Sequence, residues 1–354
     1  MLLSFCLGKH KSFVWAVTND DVSLYELPDE STIANQAKAF SSAAQNGQDT
    51  TAPGRMLSQT LFGQLSPAVW RKRNWLLAAD GVLLGGVPFS ALPDISQPSQ
   101  GTFLIERHSL RLLPSELLLC RNRKNAVQPA GRFLGIADPI YNMADARARP
   151  LHLMKAASSE LPARLVGSGT EVATAAKVNG LPASELLLGD QASGDGLRRA
   201  LFNAPEVIHF AVHIKSPEGR AQEAALALSL TQNGLPELLT PEVVATYRVP
   251  GSLVVLSGCS SQQGQVLPSA GLVGLSRAWL LAGASAVVVS AWPTLDDTSD
   301  FFAMFYTHLR SIRAGSLAQR ASMALQQAQM DAERGSGRMR RASVWAAYSV
   351  ISGN

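Results

Sequence analysis

The chain has few cysteines for its length. Of 354 residues only three are cysteine, namely Cys6, Cys120 and Cys259, and their spacing forms no pair. An odd and unpaired set argues against a disulfide framework and against a zinc site. We therefore expect no metal, no cofactor and a reducing compartment.

Long apolar runs are also missing. The longest, AWLLAGASAVVVSAW (278–292), is too short to cross a bilayer and contains Gly283 near its middle. The opening MLLSFCLGKHK (1–11) has too short an apolar stretch for a secretory signal. These absences predict a cytoplasmic protein with no membrane partner.

Charge is sparse and nearly balanced. Charged residues make up 16% of the chain, and the formal net charge is +4. Three short basic runs occur, RKR (71–73), RNRK (121–124) and RMRR (338–341), and no aromatic residues interleave with them. Such runs are typical of solvated faces, so no direct nucleic-acid partner is expected.

The second half of the chain alternates apolar strand patterns with helical ones. Hydrophobic content of 46% is typical of a globular α/β or α+β protein. Alternation of strands and helices favours an α/β fold with a parallel sheet. The strand patterns are SELLLG (184–189), EVIHFAVH (206–213), SLVVLSGC (252–259) and ASAVVVSAW (284–292).

The first half has a different pattern. SFVWAVT (12–18) and VSLYEL (22–27) predict a hairpin. The polar stretch 41–54 predicts a loop, and 55–65 has helical apolar spacing. The segment 74–92 predicts a strand, a turn and a second strand.

A domain boundary is expected within 141–169, where no clear period is visible. We place it between residues 165 and 166, which gives an N-terminal half 1–165 and a C-terminal half 166–354.

His213 and Cys259 each end a predicted parallel strand, 46 residues apart. Side chains at the carboxyl ends of such strands emerge at one edge of the sheet, where open α/β folds bind ligands. A thiol with a nearby imidazole can act as a nucleophile at neutral pH. Gly258 and Ser260 are small neighbours that leave backbone N–H groups accessible to an oxyanion. A cysteine after an apolar run can equally be a buried hydrophobe, so both interpretations stay open at this point.

His209 lies in the middle of an apolar strand pattern. A lone histidine in that setting is usually a hydrogen-bonded core residue. We predict that His209 supports the fold and has no catalytic role.

Several stretches together resemble the CHAT domain, a caspase-like cysteine peptidase family of clan CD that is related to separase. In the second half they are HFAVH (209–213), LVVLSGCSS (253–261), SAGLVGLSRAWLLAGASAVVVSAW (269–292), MFYTHLRS (304–311) and QRASMALQQAQ (319–329). In the first half they are AADGVLLGGVPFSALPD (78–94), LIERHSLRLLPS (104–115) and FLGIADPIY (133–141). The resemblance extends over nearly all of residues 12–352.

The resemblance implies a caspase-like three-layer sandwich with a mostly parallel sheet. A degenerate pseudo-peptidase α/β half, residues 1–165, would precede the peptidase half, residues 166–354. By the same resemblance Cys259 is the nucleophile and His213 the general base. The oxyanion donors would be the backbone N–H of Cys259 and one from the loop after His213, where Ile214 stands in place of the glycine of many members.

Specificity and regulation are further implications of the resemblance. In separase-like relatives an acidic residue beyond the strand-end tryptophan binds a basic substrate side chain. Asp300 is the first candidate for that role and Asp296 the second. Acidic residues at the start of a helix can also serve only to stabilise it through the helix dipole. Family members often carry helical repeats as sensors, so we expect a regulatory sensor protein or a fused repeat domain as partner.

The sequence thus predicts a cysteine endopeptidase that cleaves protein substrates after a basic residue under such control. The alternative is a catalytically idle CHAT-like scaffold that binds proteins. Nucleotide binding is disfavoured because GDQASGDG (189–196) matches no phosphate-binding loop.

Overall fold

The computed structural model describes residues 1–96, 102–114, 129–151, 161–215, 224–258, 270–294, 296 and 298–353. Its strands are β1 (Leu2–Cys6), β2 (Ser12–Val17), β3 (Val22–Leu27), β4 (Asn74–Ala78), β5 (Ser109–Leu113), β6 (Ala130–Pro139), β7 (Ala183–Gly189), β8 (Pro205–Ala211), β9 (Ile214–Lys215), β10 (Ala225–Leu230), β11 (Pro236–Leu239), β12 (Leu253–Leu256), β13 (Ala286–Ser290) and β14 (Tyr348–Ser352). Its helices are α1 (Glu30–Gln45), α2 (Thr51–Phe62), α3 (Pro67–Trp70), α4 (Leu83–Gly86), α5 (Val166–Val178), α6 (Gly194–Ala200), α7 (Pro241–Ala245), α8 (Ala270–Leu281), α9 (Ser299–Ser311), α10 (Leu317–Arg334) and α11 (Ala342–Trp345).

The chain divides into two compact units. One unit contains residues 1–122 together with 314–354, and the other contains residues 123–313. This division differs from the boundary placed at 165/166, for a reason visible in the sheets. Strand β6 precedes residue 165 but pairs with β7 and β8, which follow it. Strand β14 follows residue 166 but pairs with β5, which precedes it.

The first unit has a mixed sheet in the order β3-β2-β1-β4-β5-β14. The predicted hairpin is confirmed, because β2 and β3 pair antiparallel from Ser12 with Leu27 to Val17 with Val22. Strands β1, β4, β5 and β14 pair parallel with one another in that order.

The second unit has a parallel sheet in the order β13-β12-β8-β6-β7. Consecutive side chains of a strand point to opposite faces of the sheet. On β8 the Phe210 ring lies 5.4 Å from the ring of Trp279 in α8. The adjacent His209 ring lies 4.8 Å from that of Phe302 in α9, against which α5 also packs. Helices thus cover both faces of this sheet, and the predicted mostly parallel α/β fold is confirmed.

The loop predicted over 41–54 is shorter in the structure and covers only residues 46–50. Helix α1 continues to Gln45, and α2 begins at Thr51. Helix α1 buries Ile33, Ala37 and Phe40, whose spacing of three to four residues places them on one helical face. The last turn of α1, SSAAQ, contains only small or polar residues, so the apolar periodicity of the helix is not visible there.

The second strand predicted within 74–92 is wrong. The chain forms β4 as expected, but the short helix α4 follows the turn. Of the helices that the structure describes, none combines the length and hydropathy that a bilayer crossing requires.

We expect a fragment of residues 166–354 not to fold. It lacks β6, which lies between β7 and β8, so the remaining strands of that sheet would lose their internal neighbour and its hydrogen bonds. Urea denaturation followed by circular dichroism, with the full chain as control, tests this. A cooperative transition of the fragment at the midpoint of the full chain would contradict it.

Candidate active site

The candidate site lies where β8 and β12 end. The two strands pair in parallel, Leu253 with Val207 through Leu256 with Phe210, always 46 residues apart. Close contact continues past the strands, because a Cβ on Gly258 would lie only 1.7 Å from the carbonyl oxygen of Val212. Only glycine allows the two backbones to approach in this way.

His213 follows directly and is 3% exposed. Its backbone N–H donates to the Tyr141 hydroxyl at 3.0 Å, and the two rings lie 4.9 Å apart. Its Nε2 lies 2.8 Å from the carbonyl oxygen of Ala163. A carbonyl oxygen only accepts hydrogen bonds, so this contact fixes the hydrogen of the neutral ring on Nε2. Nδ1 then carries the lone pair and is the basic atom of the ring.

Tyr141 is almost fully buried behind His213. Burial raises the pKa of its phenol well above the usual range, and the hydrogen bond from His213 N–H only partly offsets this. The negative charges of Asp138 and Asp296 raise the pKa in the same direction as burial. Tyr141 is therefore a neutral, fixed support for the backbone that carries the imidazole.

An ion cluster anchors the segment that supplies the Ala163 carbonyl. The next residue, Arg164, binds the Asp138 carboxylate with Nη2 2.7 Å from Oδ2, and Arg147 binds the same oxygen at 2.8 Å. Asp138 is the second-last residue of β6 and has φ +46°, a strained backbone conformation for a residue with a side chain. The two guanidinium groups hold it there and so fix the chain beside His213.

Ile214, predicted to lie at the substrate site, has a buried side chain. It is 3% exposed and pairs with Leu226 in a small sheet of order β11-β10-β9. The carbonyl oxygen of His213 accepts from the N–H of Ala227 at 2.8 Å, which holds the same hairpin in place. The Ile214 side chain is thus part of the core.

The two acids predicted to bind substrate differ in their surroundings. Asp300 is exposed in the first turn of α9. Asp296 is partly buried, and its Oδ2 accepts from the N–H of Gly167 at 3.0 Å, at the start of α5. Its Oδ1 is buried, and among the described residues it has no hydrogen-bond partner. A carboxylate oxygen in that state attracts a cation or a hydrogen-bond donor.

His209 is the centre of a buried polar network, which confirms its predicted place in the core. It is 0% exposed, and its Nε2 lies 2.9 Å from Oε1 of Glu171 and 2.9 Å from Oγ of Ser257. The Tyr306 hydroxyl lies 3.0 Å from Nδ1. Glu171 also accepts from the hydroxyl groups of Ser257 and Thr298.

Sequence reasoning missed Glu171, Tyr141 and the Ala163 carbonyl. A signal for Glu171 was present, since it is the only acidic residue in the helix VGSGTEVATAAKV. A backbone carbonyl such as that of Ala163 has no sequence signature.

Some predicted positions cannot be placed. Cys120, Cys259 and Ser260 lie outside the described residues, whereas Cys6 is exposed. Within the described parts of the chain, no group of three or more His, Cys, Asp or Glu side chains is arranged to hold a metal ion.

A family model described as CHAT domain matches residues 51–354. The chain belongs to the CHAT domain family. Tetratricopeptide repeat protein 28 of human is 27% identical over 325 residues, covering 81% of this chain and 12% of the relative. The mouse protein of that name is 27% identical over 320 residues, with the same coverage. This CHAT domain therefore spans about an eighth of the length of these curated relatives.

Two solved structures were also found to be similar to this CHAT domain. The Arg specific cysteine proteinase gingipain R has a TM-score of 0.48 and 8% identity, covering 91% of this chain and 75% of that one. The complex of Porphyromonas gingivalis RgpB pro- and mature domains has a TM-score of 0.47 and 8% identity, covering 91% and 76%.

We expect His209→Ala to destabilise the protein by about 3 kcal/mol or more, because it leaves a buried carboxylate and a buried phenol short of a partner. His213→Ala serves as the matched control, with a smaller expected loss of about 1 kcal/mol for its hydrogen bond to the Ala163 carbonyl oxygen. Urea denaturation of the two variants measures the difference. Equal losses would contradict the assignment of His209 to the core.

Proposed function

We propose that this CHAT domain is a cysteine endopeptidase in which Cys259 is the nucleophile and His213 the general base. The observation that carries the proposal is the contact of Gly258 with the backbone of Val212. These residues directly precede Cys259 and His213, and consecutive Cα atoms are about 3.8 Å apart. The strand register of 46 residues equals the separation of Cys259 from His213.

The orientation of the imidazole supports the same chemistry. With its hydrogen held on Nε2 by Ala163, the ring can accept the thiol proton on Nδ1. The thiolate then attacks the substrate carbonyl, and the proton passes to the leaving amine. Water attacks the resulting thioester, gives its proton to the ring and releases the acid. Backbone N–H groups at Cys259 and after His213 would stabilise the oxyanion.

Cleavage after a basic residue is the second part of the proposal, with Asp296 as the residue that binds that side chain. Its buried and unpartnered Oδ1 supports this role, since a substrate guanidinium or ammonium group would satisfy it. Asp300, the first choice from the sequence, is exposed and has weaker support.

Control by a repeat domain is the third part. The curated relatives are named as tetratricopeptide repeat proteins, and this chain spans 12% of their length. We propose that a fused or separate repeat domain regulates the peptidase, as the family resemblance implies, and that the protein acts in the cytoplasm on protein substrates.

A catalytically idle scaffold is the second candidate. Ile214, which stands in place of glycine, supports it, because its side chain is packed in the small sheet directly after His213. The experiments below distinguish the two functions.

We expect Cys259→Ala to abolish reaction with a peptidyl acyloxymethyl ketone that carries arginine next to the reactive group. His213→Ala should slow the reaction by about 100-fold or more, the usual contribution of a general base. Hydrolysis of fluorogenic peptides should show both losses, with the double variant little worse than either because the two groups act as a unit. Mass spectrometry of the labelled peptide identifies the thiol.

If the wild type reacts no faster than His213→Ala, with or without a repeat-domain partner, the scaffold is favoured. Loss of activity in a well-folded His209→Ala variant would also reject His213 as the base.

We expect Asp296→Asn to remove the preference for arginine or lysine before the cut by about 10- to 100-fold, the value of one buried charge-assisted hydrogen bond. Asp300→Asn is the matched control and should retain the preference. A library of fluorogenic peptides measures both. A wild-type preference for apolar or acidic residues would reject Asp296 as the pocket acid, and loss of the preference in Asp300→Asn alone would transfer the role to that residue.

A further inference from the structure

One buried carboxylate joins several elements beneath the candidate site. The Glu171 side chain, in α5, is only 3% exposed. Its Oε1 accepts from Ser257 and from His209, and its Oε2 accepts from Thr298. The donors come from the end of β12, from β8 and from the residue before α9, up to 127 positions away.

Two of these donors are close in sequence to the proposed reacting groups. Ser257 stands two residues before Cys259, and Thr298 stands two residues after Asp296. The helix that carries Glu171 is itself tied to Asp296, which accepts from the N–H of Gly167 at 3.0 Å. A single carboxylate therefore contacts the segment before the nucleophile and the segment after the pocket acid.

The hydrogen-bond pattern identifies the donors to Glu171. Glu171 as a carboxylate can only accept, so His209 donates through Nε2–H and the two hydroxyl groups donate as well. On the other side of the ring, the Tyr306 hydroxyl lies 3.0 Å from Nδ1. Every group in the network has a partner, and such networks are rigid.

A charge in this position is not needed for packing. Replacing buried ionic groups with apolar residues of similar size is often neutral or stabilising. An apolar side chain at 171, however, would have no directional contact with either Ser257 or Thr298.

We propose that Glu171 is a positioning residue that holds Ser257, two residues before Cys259, and Thr298, two residues after Asp296, in fixed relation. The inference rests on the proposed function, because it assumes that Cys259 reacts and that Asp296 binds the substrate. The two bonds should have separable effects, since one reaches the nucleophile's segment and the other reaches the pocket loop.

The test uses the full chain and the arginine ketone, with the maximal inactivation rate and the half-saturating concentration measured separately. Ser257→Ala should lower the maximal rate by about 10-fold and leave the half-saturating concentration unchanged, because misplacing a reacting group costs rate. Thr298→Val should raise the half-saturating concentration by about 10-fold with little effect on the rate. Glu171→Gln should change both.

Tyr306→Phe is the matched control. It removes a hydroxyl from the same network, but that hydroxyl contacts only the far side of His209 among the polar groups described. It should lower the urea midpoint and leave both kinetic constants within about twofold of the wild type.

Two results would overturn the positioning role. One is that Ser257→Ala, Thr298→Val and the control Tyr306→Phe all change the maximal rate and the half-saturating concentration together, in proportion to the fall in their urea midpoints. The other is that all variants that fold have wild-type constants. Failure of the proposed function gives a different result, in which the wild type itself reacts no faster than His213→Ala.

Discussion

The parallel pairing of β8 with β12 is the constraint on which the site depends. It fixes the offset of 46 residues, so any two side chains with that separation near the strand ends belong to the same edge. The contact of Gly258 with Val212 extends the pairing to the last residues before Cys259 and His213. A larger residue at 258 would separate the strand ends, whatever the residues beyond them could do chemically.

Charge burial under this edge is extensive and well satisfied. The carboxylate of Glu171 receives three donors, and that of Asp138 receives two guanidinium groups. Because an unpaired charge in such places costs several kcal/mol, roughly the whole margin of a weakly stable domain, these pairings must form together. Among the buried side-chain atoms that have no hydrogen-bond partner in the described residues, Asp296 Oδ1 is the one that belongs to a carboxylate.

The sequence predicted the sheet of the second unit well because its strands are uninterrupted runs of β-branched and apolar residues, as in LVVL of β12 and AVVVS of β13. Such runs occur where both faces of a strand are covered. Helices with weak periodicity were less visible. The sequence predicts a loop where α1 ends, and it does not predict α5, which contains two glycines.

The site was predictable only in part. His213 could be placed at a strand end from its own neighbourhood. Its supports could not, since Tyr141 lies 72 positions away and Ala163 contributes only a backbone carbonyl. The partners of His209 were not predictable either, because they lie 38 to 97 positions away in the sequence. The role of His209 in the core followed from the apolar strand around it. Contacts between remote segments are decided by topology, and a single sequence carries little direct record of them.

The order of strands in the second unit has a kinetic consequence. Strand β6 is synthesised early. Strands β12 and β13, which lie on the other side of its neighbour β8 in the sheet, are synthesised more than a hundred residues later. Nonlocal parallel pairing of this kind has high contact order and forms slowly. The bond from Thr298 to Glu171 spans 127 positions, so the edge that carries His213 is complete only once that stretch has been synthesised. A nascent chain therefore has the imidazole long before it has the assembled edge, and the fold itself delays the onset of any chemistry there.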